Sequence, residues 1–217
     1  IALVVFGSSM ALFPVIGFSL FPPSEKPQFL VNIITPIQTN IGETDAVTKK
    51  VEAVLGGIPE IQFFSTNVGK GNPRIYYNVI PENERTDFAQ IFVQLDPNSS
   101  AKEKIRITEE LRNHFQNFVG AKIEVKNFEQ GPPVTAPVEV RLSGENLDSL
   151  RSIAAKVEKL IKETPGTIYT NNPVSNLKTD IKVAIHKEKS RSLGINILEV
   201  DRTVRLAVEG LIMGSYS

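Results

Sequence analysis

The feature that most constrains this chain is its beginning, because residues 1 to 21 carry no charged side chain. A stretch of about 20 apolar residues is what a helix needs to cross a bilayer. The run is expected to be a transmembrane helix, with a buried core segment as the alternative. A signal peptide fits poorly, since there is no basic leader and the chain starts with Ile1 rather than Met. "SLFPPSEKPQFLVNIITP", residues 19 to 36, closes the run with two prolines, takes on its first charges at Glu25 and Lys26, and passes at once into strand-like alternation.

From there the sequence repeats one theme of short strand, amphipathic helix and strand. Strands are expected over Gln28 to Thr35, Glu60 to Thr66, Ile75 to Val79, Ala89 to Leu95 and Ala121 to Lys126. Helices are expected over Thr44 to Leu55, with Val47, Val51, Val54 and Leu55 inward, and from the Ser100/Glu103 capping pair to about Phe118. This is an α+β, ferredoxin-like βαββαβ order with one extra short strand, its helices on one face of the sheet. "EQGPPVTAP", Glu129 to Pro137, reads as a linker because its three prolines exclude a central strand.

A second, half-made unit follows, with strands at Val138 to Leu142, Thr167 to Thr170 and Asp180 to Ile185. Its helix, Asn146 to Lys162, turns Leu147, Leu150, Ile153, Ala154, Val157, Leu160 and Ile161 inward. A further helix starts at Asn196, with Glu199 in the capping-box position.

Several function classes drop out. Lys plus Arg and Asp plus Glu both total 24, so no global basic field points to nucleic acid. With no cysteine there is no thiolate chemistry and no cysteine metal site, and His114 and His186 stand apart from further ligand residues, so no metal site is expected. No nucleophile-base pair or convergent carboxylate set points to an enzyme, and no cofactor motif is present. "VGKGNP" lacks phosphate-loop spacing and no helix follows it.

Strand parity locates a candidate binding face. If Ile61 and Phe63 face the helices, Phe64 lies on the other face beside Gln62 and Thr66. If Ile91, Val93 and Leu95 face the helices, Phe92 lies between Gln90 and Gln94. Either these aromatics line a pocket or they pack against a neighbouring subdomain. Asn32 and Ile34 share the non-core face of the first strand by the same parity.

"FPPSEKPQFLVNIITP", "EQGPPVTAPVEVRLSGENLDSLRSIAAKV" and "IHKEKSRSLGINILEVDRTVRLAVEG" together resemble the resistance-nodulation-division (RND) multidrug efflux transporters of the acriflavine-resistance type, in their second half. The resemblance implies that residues 1–24 end a transmembrane helix and 25–134 form the first porter subdomain. It makes 135–186 the first part of the second porter subdomain, and 187–217 the start of a docking subdomain. It places Phe64, Thr66 and Phe92 at the distal drug pocket, Asn32 and Ile34 at the access cleft, and Val68, Gly69, Lys70 and Gly71 in a glycine-rich switch loop. Known members carry phenylalanines in that loop where this chain has Gly69, Lys70 and Gly71. The isolated Met10 and Met213 do not resemble the methionine relay of heavy-metal pumps. The implied whole is a proton-driven exporter of amphiphilic drugs in a Gram-negative inner membrane, with this region mostly periplasmic. Its implied partners are two identical subunits, forming a homotrimer, a periplasmic adaptor (membrane fusion) protein and an outer-membrane channel. The rival reading is a membrane-anchored ferredoxin-like module that binds a partner or small effector without transport.

Overall fold

A computed structural model describes residues 5–10, 24–133, 136–175, 182–208, 210 and 214. Most of the apolar run, residues 1–4 and 11–23, lies outside the described residues, and residues 5–10 are helical. Among the described residues no helix is long and apolar enough to cross a membrane.

The chain divides into two compact units, Ile1–Asn176 and Leu177–Ser217. The first is mixed α/β, built on β1 (Gln28–Ile34), α1 (Ile41–Gly56), β2 (Ile61–Val68), β3 (Phe88–Leu95), α2 (Ala101–Phe115), β4 (Lys122–Asn127) and α3 (Leu147–Glu163). The four strands form one sheet in the order β2-β3-β1-β4, and every pairing is antiparallel. That is the arrangement expected of a split βαβ unit.

Local chemistry explains the element ends. The Asn40 side chain accepts a hydrogen bond from the Glu43 amide at 2.9 Å and starts α1, three residues earlier than the periodicity predicts. The Ser100 hydroxyl does the same for the Glu103 amide at 3.2 Å and starts α2. Phe29, Val31, Ile33, Ala89, Ile91, Val93, Leu95, Ile123 and Val125 point from the sheet towards Val51, Leu55, Ile107, Leu111 and Phe115, and all are buried. Period-2 strands thus meet period-3.6 helices in one apolar layer.

The expected strand at Ile75 to Val79 is instead a turn within the β2–β3 connection. The expected strands at 138–142 and 167–170, and the described part of 180–185, join no ladder; residues 180–181 lie outside the described residues. A strand exists only through its hydrogen-bonded neighbour, and among the described residues these segments have none. For the same reason α3 keeps its amphipathic pattern and its Asn146 cap but has no buried residue, so Leu147, Ile153 and Leu160 stay exposed.

The second unit contains α4 (Lys187–Ser192) and α5 (Ile197–Val208), with the Asn196 side chain accepting from the Leu198 amide at 2.9 Å.

Candidate functional site

The sheet face turned away from α1 and α2 carries the candidate site. Registration across β2, β3, β1 and β4 aligns Asn67 with Gln90, Gln90 with Asn32, and Asn32 with Glu124, a polar row crossing all four strands. Three of its members, Asn67, Gln90 and Asn32, are linked directly or through Asn72. Gln90 Nε2 donates to Asn32 Oδ1 at 2.8 Å, the Asn72 amide donates to Gln90 Oε1 at 2.8 Å, and Asn67 Nδ2 donates to Asn72 Oδ1. These bonds offset most of the cost of burying the amides, although Asn72 Nδ2 is buried without a partner.

One register step away lies an aromatic row. Phe63 sits 6.5 Å from Phe92, Phe92 sits 6.3 Å from Phe128, and Phe128 stacks on Tyr76 at 4.4 Å with the planes 14° apart. The Lys26 ammonium lies over the outer face of this cluster, 5.6 Å from the Tyr76 centroid. Phe63 is 52% exposed, whereas Phe128 is buried, so the row runs from an open end to a closed one.

This placement corrects one expectation. Phe64 and Thr66 lie on the helix face: Phe64 packs against the core, and the Thr66 hydroxyl donates to Glu52 Oε1 on α1 at 2.6 Å. A β-bulge between Ile61 and Phe63 inserts one extra residue and reverses parity downstream of it, so Phe63 takes the place beside Phe92. Phe92 is on the expected face. Asn32 is there too but is buried in the amide row, and Ile34 closes the end of β1 opposite Phe88 and Lys122. Strand reasoning missed Tyr76, Phe128 and Glu124; the adjacent pair Phe63-Phe64 was the one signal that either aromatic could take the open face.

The loop at Val68, Gly69, Lys70 and Gly71 is a bonded neck rather than a free turn. The Gly69 amide donates to Phe88 O at 2.8 Å, Gly69 O accepts from the Arg85 amide at 2.9 Å, and the Gly71 amide donates to Glu82 O at 3.2 Å. Both glycines are required. Gly69 has φ 87°, and a Cβ on Gly71 would stand 2.7 Å from the Glu82 amide nitrogen. Val68 packs on the core and Lys70 is exposed. Beyond the neck the chain folds back over the sheet, where the Gly131 amide donates to Tyr77 Oη at 3.0 Å and Asn78 Nδ2 donates to Glu129 O at 2.7 Å.

Glu124 ends the polar row. It is 6% exposed and is gripped by Lys122 at 2.7 Å and Lys126 at 2.9 Å. Burial pushes its carboxyl up, but the two ammonium groups outweigh this and leave it below the ordinary 4.5. A carboxylate lowered in the folded state contributes stability that is fully present above its unfolded value, about 4.3, and is lost as pH falls through the lower native value. Glu124→Gln is therefore expected to give a shallower loss of stability than the parent below about pH 4.3, read from urea midpoints across an acid series. An unchanged acid slope would show that Glu124 is not held ionised in the fold.

Among the described residues no three His, Cys, Asp or Glu side chains converge in a way that could hold a metal ion. Within the second unit, an open apolar groove of about 300 Å³ is lined by Val183, Ile185, Leu193, Ile195, Val200 and Val204, and it contains none of the candidate residues.

The family model described as "AcrB/AcrD/AcrF family" matches residues 1–216. The chain is 22% identical over 220 residues to the nickel-cobalt-cadmium resistance protein NccA of Alcaligenes xylosoxydans xylosoxydans, covering 96% of this chain and 20% of that protein. It is 21% identical over 204 residues to the nickel and cobalt resistance protein CnrA of Cupriavidus metallidurans, covering 91% of this chain and 19% of that one. This chain thus spans about a fifth of the length of these relatives. Among solved structures, a heavy metal efflux pump superposes with TM-score 0.65 at 17% identity, over 99% of this chain and 22% of the pump chain, a likeness of fold.

Proposed function

This chain belongs to the AcrB/AcrD/AcrF family of RND efflux transporters, and from that premise we propose that the βαββαβ unit is a porter subdomain whose helix-free sheet face helps bind amphiphilic organic molecules for export. The observation that carries the reading is the aromatic row Phe63, Phe92, Phe128 and Tyr76 beside a hydrogen-bonded amide row. Apolar surface with a few fixed polar groups suits amphiphilic ligands. The half-exposed Phe63 gives such a ligand a stacking surface, while Phe128 and Tyr76 hold Phe92 in place behind it.

The parent protein on this reading is a proton-driven pump of the inner membrane of a Gram-negative bacterium, with this region in the periplasm and no enzymatic turnover of its own. It acts as a homotrimer with a periplasmic adaptor and an outer-membrane channel. Transport proceeds by alternating access, the porter units opening and closing around the ligand. The loop at 68–71 is the switch element, its bonded neck setting the resting position.

A second reading, export of divalent metal cations, draws on the names of the metal-resistance relatives. One experiment separates the two. Cells relying on the intact transporter are challenged with cationic dyes and with nickel, cobalt and cadmium salts, comparing the parent with Phe92→Ala and Phe63→Ala. The organic reading predicts a drop in dye resistance of about 3- to 10-fold for either variant, the range one aromatic contact supplies, with metal resistance unchanged. Metal resistance without dye resistance in the parent would sink it in favour of the cation reading.

A further inference from the structure

The outer edge of β4 is sealed by side chains. Val125 turns its backbone outward: its amide donates to Tyr169 Oη at 2.7 Å, and its carbonyl accepts from Arg112 Nε at 3.1 Å and Nη2 at 3.0 Å. Beside it, Lys122 Nζ donates to Thr170 O at 2.7 Å and lies 5.9 Å from the centroid of the Tyr169 ring. A bare strand edge offers unpaired N–H and C=O groups to any passing strand, so this arrangement protects the sheet.

The same contacts do something else. The segment 136–175 brings no buried helix to the sheet, because α3 has no buried residue. Tyr169 and Thr170 are tied back to α3 through Asn172, whose Nδ2 donates to Glu158 Oε2 at 2.9 Å, with Lys162 holding Glu158 at 2.6 Å. The short stretch that carries Tyr169 is thus bonded to α3 at one end and to β4 at the other.

We infer that Tyr169, with Lys122, is a releasable clasp that positions the segment carrying α3 against the edge of β4. This rests on the reading of the unit as a porter subdomain that moves against its neighbour. Closed, the clasp pairs the Val125 amide with Tyr169 Oη; open, that amide takes water and the α3 segment swings free. Polar contacts suit such a joint because water replaces them at little net cost, whereas a buried apolar interface would lock it. The remaining charges facing the clasp are Glu124 and Lys126 on β4, and Glu109, which holds Arg112 at 2.6 Å. Glu124 is paired with both Lys122 and Lys126, and Arg112 with Glu109.

The test uses Tyr169→Phe and Lys122→Gln in the intact transporter, with two readouts. The first is amide hydrogen exchange at Val125, with residues 28–34 as internal reference. The second is the distance distribution between spin labels placed at the exposed Lys156 on α3 and Lys102 on α2. We expect Val125 exchange to rise about 3- to 10-fold in Tyr169→Phe, residues 28–34 to be unchanged, and the distance distribution to broaden in both variants. Unchanged Val125 exchange would overturn the clasp. Faster exchange with an unaltered distance distribution would overturn the positioning role, leaving Tyr169 as edge protection only. Neither readout needs a substrate, so a parent that exports metal cations gives the same answer.

Discussion

Phe128→Ala is expected to lower the stability of the fold by about 3–5 kcal/mol, while Phe63→Ala, in the same aromatic row, costs less than about 1 kcal/mol. The difference comes from burial. Phe128 is 2% exposed, stacked on Tyr76 and 6.3 Å from Phe92, so its removal leaves a cavity that this hydrogen-bonded face fills poorly. Its backbone carbonyl also accepts from the Ser24 amide at 2.8 Å, so a shift of the main chain here would disturb the start of the unit as well. Phe63 has solvent over half its surface and loses little on truncation. Urea midpoints of the two variants would measure this. Equal losses would mean that Phe63 is covered in the assembled protein, or that the row is not closed at the Phe128 end. The pair also protects the transport test, since a Phe63 variant that folds normally and exports poorly has lost a binding contact rather than its structure.

Lys104→Ala is expected to cost about 2–3 kcal/mol, and Lys104→Met roughly 1 kcal/mol less. Lys104 is 3% exposed, and its ammonium donates to Ser24 O and, at 3.0 Å, to Lys26 O. Burial holds its ionisation below the ordinary 10.5, with Glu25 opposing. Its removal relieves the cost of burying a cation, which is why the expected loss is no larger than that of a core truncation. What remains is the loss of donors to two carbonyls, plus the stem volume that Met keeps and Ala does not. The unfolded chain holds this proton up to 10.5 while the folded chain releases it earlier, so the parent should gain stability with pH between the two values. Lys104→Met should not. A thermal-melt series from pH 8 to 10.5 reads both effects, and parallel pH curves for parent and Met variant would refute the buried-cation account.

The first unit was largely legible in the sequence because its signals are local. Alternation in β1 and β3, the helical spacing of Val47, Val51, Val54 and Leu55, and the Ser100/Glu103 pair each depend on residues within a turn or two of one another. The segment after the Glu129–Pro137 linker was less legible. Val138 to Leu142 has strand composition, but a strand also needs a partner, and no property of its own residues supplies one. Ile75 to Val79 misled for a related reason: Tyr76 and Tyr77 suit a strand, yet they are used to close the loop over Phe128 and Gly131.

The site was half legible. Phe92 and Asn32 followed from parity, whereas Phe64 and Thr66 did not, because parity holds only until a bulge. The residues that parity missed come from two distant stretches of chain, Tyr76 from the β2–β3 connection and Glu124 and Phe128 from β4 and its end, which only the tertiary fold brings together.

That bulge bears on how residues are matched between relatives. Gln62 is the extra position: without it, Ile61, Phe63 and Phe64 would alternate regularly into Thr66 and Val68. At 21–22% identity, a gap of one residue near such a spot is easily misplaced by sequence scoring. Equating Phe64 with a relative's pocket residue by position alone carries a function onto a partly buried side chain that packs against the core on the helix face. Correspondence around β2 is therefore better drawn from strand pairing, with Phe63 set against whichever residue lies beside the counterpart of Phe92.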